Sequence, residues 1–273
     1  MSVVVVMGGK EAPGATTTAL ALGCVWPAAS RLVVEADPDG GVLAARFGAA
    51  HEPGLVSLAA TGRGGLDAGA VGAHTQALGD HGLSVLPAPP LPEQSTGALA
   101  VVGRGLVDAL ASMDDVGVVV DVGRAWPDAP AIRPFVAGAD VVLLVGRPRL
   151  EEIQQLRARW RAARLQNRRV GVVLVGQRPY SPGEVAAAVE PAEAALVVWG
   201  VLPEDALGAD VLNGRRFAPA WALRKSQLLR AASTIATEAV ARLGLEGSPV
   251  APSGNGQQRR GRRRRVRVRE RNA

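Results

Sequence analysis

Seven short apolar runs, at 2–7, 31–35, 82–86, 116–120, 141–145, 170–175 and 196–199, dictate most of what this chain of 273 residues can become. Several are apolar without alternation, Val118-Val119-Val120 and Val141-Val142-Leu143-Leu144-Val145 among them. That pattern belongs to parallel strands covered on both faces. Between the runs the spacing changes: Leu99, Val102, Leu106, Leu110 and Met113 recur at three and four residues, the apolar stripe of a helix lying on a sheet. Further helices are expected over 16–26, 55–60, 151–169, 182–190 and 226–243, whereas 61–80, rich in glycine and alanine, carries no clear period. Strands alternating with helices predict an α/β fold with a mostly parallel central sheet of about seven strands and helices on both faces.

No apolar run approaches the roughly 20 residues needed to cross a bilayer. The amino terminus lacks the basic, apolar and small-residue order of a secretory signal, so the chain reads as cytoplasmic. Cys24 is the single cysteine, read as a small buried thiol, and His51, His74 and His81 have no metal spacing.

The formal charge of +6 suggests a polyanion binder until it is mapped. Nine arginines and one acid lie in 259–273, leaving residues 1–258 with 22 basic and 24 acidic side chains. The organisation expected is therefore a near-neutral domain over 1–245, a flexible linker over 246–258 rich in Ser, Pro, Gly and Gln, and a disordered polybasic tail over 259–273. The arginines between Arg259 and Arg271 suit DNA phosphates or an anionic membrane surface by nearly the same electrostatics.

Ligands of open α/β sheets bind at the carboxyl ends of the strands. The first strand ends in Gly8-Gly9-Lys10-Glu11-Ala12-Pro13-Gly14-Ala15-Thr16-Thr17-Thr18, a glycine-rich turn running into a helix start, as an anion cradle requires. The strict phosphate-loop pattern fails, because Ala15 stands where lysine should precede the hydroxyl of Thr16. The second strand ends in Glu35-Ala36-Asp37-Pro38-Asp39-Gly40 and the fourth at Asp121. Asp37 and Asp121 also suit simple turn-capping roles. Glu35 alone supports a Rossmann oxidoreductase, whose Gly-x-Gly-x-x-Gly run is missing after the first strand.

Taken in order, these segments resemble the ParA/MinD family of ATPases. The loop Lys10-Glu11-Ala12-Pro13-Gly14-Ala15-Thr16-Thr17 is similar to that family's deviant Walker A sequence, Lys-Gly-Gly-x-Gly-Lys-Thr-Thr. Glu35-Ala36-Asp37-Pro38-Asp39-Gly40 resembles its Asp-x-Asp-Pro-Gln-Gly segment, and Val118-Val119-Val120-Asp121 its Walker B strand. Gly138-Ala139-Asp140-Val141, Gly171-Val172-Val173-Leu174-Val175 and Val201-Leu202-Pro203-Glu204-Asp205 match later landmarks, and 82–89 is similar to the CpaE/TadZ pilus-assembly branch. The resemblance implies bound ATP and Mg2+, with Lys10 as the signature lysine reaching across a homodimer and Asp37 positioning water. It implies Thr16 and Asp121 at the magnesium. Gly9, Gly14, Ala15, Thr16 and Thr17 would follow the phosphates, and Gln177 and Pro203 would border the base. It further implies a spatial-organisation or assembly factor with a protein partner, peripheral at membrane or nucleoid, in pilus or secretion machinery or chromosome partition. The departures at Ala15, Glu11 and Ala12 predict slow hydrolysis or none, and a nucleotide-free scaffold is the alternative.

Overall fold

The structure, a computed structural model, describes residues 2–9, 14–62, 65–78 and 82–244. Lys10, Glu11 and Ala12, with the 246–258 linker and the 259–273 tail expected from the sequence, lie outside them. The strands are β1 Ser2–Gly8, β2 Ser30–Glu35, β3 Gln76–Ala77, β4 Ser84–Leu86, β5 Val116–Asp121, β6 Val141–Gly146, β7 Val170–Val175 and β8 Val198–Leu202. They form one sheet in the order β3-β4-β2-β5-β1-β6-β7-β8, parallel throughout except where β3 pairs antiparallel with β4. The helices are α1 Ala15–Val25, α2 Leu43–Phe47, α3 Leu55–Thr61, α4 Ala68–Ala73, α5 Pro92–Ala111, α6 Arg133–Gly138, α7 Leu150–Arg164, α8 Pro182–Val189, α9 Ala194–Val197, α10 Ala206–Leu212, α11 Ala220–Leu223 and α12 Gln227–Leu243.

The central strand shows why its sequence is apolar throughout. Successive side chains of a strand point to opposite faces. Val3, Val5 and Met7 enter a core closed by α3, α5, α6, α7 and α8, while Val4 and Val6 enter a second core closed by α1, α10 and α12. Both layers need apolar contacts, so no position of β1 is free to be polar.

Where the chain crosses over decides where a ligand fits. From β1 it passes through α1, on one face, to β2; from β5 it passes through α6, on the other face, to β6 on the far side of β1. The connections after β1 and β6 leave in opposite directions, toward β2 and toward β7. Their carboxyl ends therefore form a topological switch point, the kind of place where open α/β sheets hold ligands.

Two sequence expectations need correction. The sheet has eight strands, because β3 adds a two-residue edge pairing, Gln76 with Val85 and Ala77 with Ser84, too short to leave a period. The last strand covers Val198–Leu202 instead of 196–199; residues 194–197 continue a helical turn begun at Pro191–Glu193. Gly200, just past the expected run, lies within the strand, where α12 packs so closely that a Cβ would meet the Ile235 side chain. The register shifts between Val172 and Val173, which face Val198 and Gly200, and this irregularity hides the pairing further.

Candidate functional site

The first turn of α1 is set by Gly14, whose φ of 81° is a left-handed conformation that glycine adopts without steric cost. Ala15 opens the helix and is 2% exposed. Gly8 N–H bonds the Gly123 carbonyl at 2.7 Å and Gly9 N–H bonds the Val145 carbonyl at 3.3 Å, tying the end of β1 to both neighbours. The free N–H groups of the following helix N-terminus carry a partial positive charge toward this edge.

Three carboxyl groups face that edge from β2 and β5. Asp121 pairs in register with Val6 of β1 and Glu35 of β2, and is 1% exposed. The Thr16 hydroxyl donates to it, as does Gly123 N–H at 3.0 Å. Burial pushes the Asp121 pKa up, against the pull of these two bonds and of the Arg46 charge. Asp37 packs so tightly over Gly123, at φ 60°, that a Cβ there would collide with the carboxylate. Its Oδ1 accepts from Asp39 N–H at 2.9 Å, and burial together with Asp121 pushes its pKa up to about 6. The structure therefore brings Gly9, Gly14, Ala15, Thr16, Asp37 and Asp121 to one place.

Glu35 serves another purpose. Its Oε1 accepts from Val42 N–H at 2.6 Å and Leu43 N–H at 3.0 Å, and its Oε2 from Ala88 N–H at 3.0 Å. The side chain is 1% exposed and latches the loop after β2 onto the segment after β4. No free oxygen remains for the ribose contact on which the oxidoreductase reading depended.

Burial pushes Glu35 up from 4.5 to about 7 despite those three bonds. A carboxyl whose folded pKa is raised stabilises the fold below its unfolded pKa and loses that contribution as pH climbs through the folded value. Between pH 4.5 and about 7, Glu35 accordingly withdraws roughly 3 kcal/mol, and Asp37 acts in the same direction. Urea unfolding without divalent cations is expected to show lower stability at pH 8 than at pH 5. Glu35→Gln should flatten most of that decline, although its amide, unable to accept at both ends, lowers stability at pH 5. A stability that is level or rising over this range would contradict the assignment.

On the other flank of α1 lies a cleft of about 340 Å³ bordered by Gly14, Thr17, Val175, Leu202, Pro203 and Asn213. The Thr17 hydroxyl donates to Asn213 Oδ1 at 3.0 Å, joining α1 to the turn after α10. Pro203 lines this cleft; Gln177 follows β7, is exposed, and does not line it. Arg147 also borders the cleft, 3.9 Å from Glu204.

Three participants escaped the sequence reading: Asn213, Arg46 and Arg159. The last is 5% exposed, donates to the carbonyls of Ala125 at 2.6 Å and Arg124 at 3.0 Å, and lies over the Trp126 ring at 4.9 Å. It pins the loop that follows Asp121. Cys24 is buried, and burial pushes its thiol up to about 11, which fits an inert packing role.

Thr16 Oγ1 and the Asp121 and Asp37 carboxylates are hard oxygen donors of the kind Mg2+ takes. Among the described residues no group of three His, Cys, Asp or Glu side chains is placed to hold a metal.

Neither a family model nor a curated relative matches the sequence. Solved structures do. A ParA family ATPase from Chlorobium tepidum superposes with a TM-score of 0.69 at 17% identity, over 86% of this chain and 97% of its own. The cell division ATPase MinD of Pyrococcus furiosus gives 0.65 at 18% identity, over 89% and 99%. The septum site-determining protein MinD from Pyrococcus horikoshii, complexed with Mg-ADP, gives 0.63 at 15% identity, over 89% and 97%. At such identities the likeness is one of architecture, and together with the order of strands it establishes that this chain has the fold of the ParA and MinD ATPases.

Proposed function

We propose that the chain binds Mg·ATP across Gly9 to Thr17 and acts as a ParA/MinD-like spatial-organisation or assembly factor that hydrolyses slowly or not at all. The observation that carries this reading is the convergence of the Thr16 hydroxyl and the Asp121 and Asp37 carboxyls on the N-terminus of α1. Carboxyls whose pKa values are raised by burial gather at this edge, and Mg2+ carried in on phosphates adds a cation beside them. In this reading Thr16 and Asp121 hold the metal, Asp37 orients water, and the cleft with Pro203 takes the base while Gln177 reaches over from outside. Lys10 contacts the phosphates of a second copy in a homodimer.

Ala15 in the place of a phosphate-loop lysine supports weak binding and slow chemistry. It equally favours a nucleotide-free scaffold as the second reading. We further read 1–245 as one cytoplasmic domain that docks on a protein partner. The machinery served is that of pilus assembly or secretion, with which the likeness of 82–89 to the CpaE/TadZ branch agrees, or of chromosome partition. Titration of the purified chain with Mg·ATP, followed by phosphate release at saturation, tests the reading. Saturable binding with little phosphate release supports it, whereas no binding hands the case to the scaffold.

A further inference from the structure

Arg46 stands at the end of α2, in a position set by close backbone packing. Its carbonyl lies so near Gly214, at φ 68°, that a Cβ on residue 214 would collide with it. This contact seats α2 beside the turn whose Asn213 receives the Thr17 hydroxyl bond, and so beside the first turn of α1.

The side chain is half-buried. Its Nη1 is buried and makes no hydrogen bond, and no ion pair among the described residues includes it. Asp121 and Glu35 both lie within electrostatic reach of it, while burial pulls its pKa down. Neither carboxylate is idle: Glu35 holds three backbone N–H groups, and Asp121 holds the Thr16 hydroxyl and Gly123 N–H. A buried N–H without an acceptor is costly, and a guanidinium fork matches phosphate oxygens two at a time. The cation missing at position 15 and the cation without a partner at position 46 flank the same helix N-terminus. Arg147, on the cleft side, likewise has a buried Nε without a hydrogen bond, but its charge is paired with Glu204 at 3.9 Å.

We propose that Arg46 supplies from α2 the positive charge that the loop lacks at Ala15, and binds the terminal phosphates of a polyphosphate seated on the N-terminus of α1. The inference rests on the nucleotide reading above. Its test separates the two by using inorganic tripolyphosphate, which has the phosphates without the base, beside ATP.

Calorimetric titration with each ligand and Mg2+ is carried out on the full chain, Arg46→Met, Arg46→Lys and Arg104→Ala. Arg104→Ala removes an equal charge from an exposed side chain paired with Asp108 on α5. The expected result is a loss of at least about tenfold for both ligands in Arg46→Met, a smaller loss in Arg46→Lys, and little change in Arg104→Ala. Thermal unfolding checks that Arg46→Met is folded; if it is not, Arg46→Lys, which keeps the charge and loses the fork, decides by a loss of about threefold or more. ATP affinity equal in parent and Arg46 variants overturns the Arg46 role and leaves the nucleotide site standing. Arg46-dependent binding of tripolyphosphate without ATP binding leaves the Arg46 role standing and overturns the nucleotide reading. Failure of both ligands to bind the parent chain overturns both.

Discussion

Replacing Ala15 by lysine is expected to raise Mg·ATP affinity by about one to two decades, since a well-placed charge-assisted contact is worth roughly 1.5–3 kcal/mol. Ala15 is the first residue of α1, directly after the left-handed Gly14, and side chains of a helix tilt toward its N-terminus. Adding Glu11→Gly and Ala12→Gly removes a carboxylate and frees the backbone, and should deepen the effect. Arg46 makes the outcome quantitative. If it already supplies part of the charge, Ala15→Lys gains less in the parent chain than in Arg46→Met, and the four-variant cycle gives a coupling of the two positions. Equal gains in both backgrounds would mean that the two cations act independently of each other. A triple variant that stays folded and still binds no ATP would show that more than the loop has been lost, and the nucleotide-free scaffold would take over.

The sheet was legible because burial on both faces leaves a plain mark: β1, β5, β6 and β7 cannot carry polar residues at any interior position, and their runs stand out against the helices. Asp121 and Asp37 were legible for a related reason, since an acid ending such a run must sit at the sheet edge. Arg46 was not. It lies on a five-residue helix with no period, and an arginine in such a setting reads as solvated until a turn distant in sequence closes over it. The Thr17 to Asn213 bond spans 196 residues, and nothing local to either marks it. Glu35 misled in the opposite sense. A strand-end acid suggests a ligand contact, yet the loop after β2 folds back and consumes both oxygens with backbone N–H groups. The misplacement of β8 had its source in α12, whose close approach demands glycine inside a strand.

Removal of 259–273 is expected to abolish most of the chain's affinity for duplex DNA at low salt. The argument is one of charge count. Those residues hold nine arginines and one glutamate, while residues 1–258 carry a net charge of −2, so attraction to a polyanion has to come from the end of the chain. Each phosphate neutralised adds about 0.9 to the slope of log affinity against log salt; six engaged arginines give a slope near −5, or about three decades between 50 and 200 mM salt. Vesicles with and without anionic lipid form the parallel measurement, at about 1 kcal/mol per basic residue near the surface. The folded part offers one rival, the arginines of α7 and the turn after it. Arg157, Arg161 and Arg168 are exposed, but Arg164 is held by Glu193 at 3.1 Å and lies over the Trp160 ring, which leaves a weaker patch than the sequence suggests. Binding by residues 1–258 equal to that of the full chain, with the same salt slope, would move the contact to that face. A slope that collapses on truncation would place it among the terminal arginines, and the preference between DNA and anionic vesicles at matched salt would then decide whether the chain is drawn to a nucleoid or to a membrane.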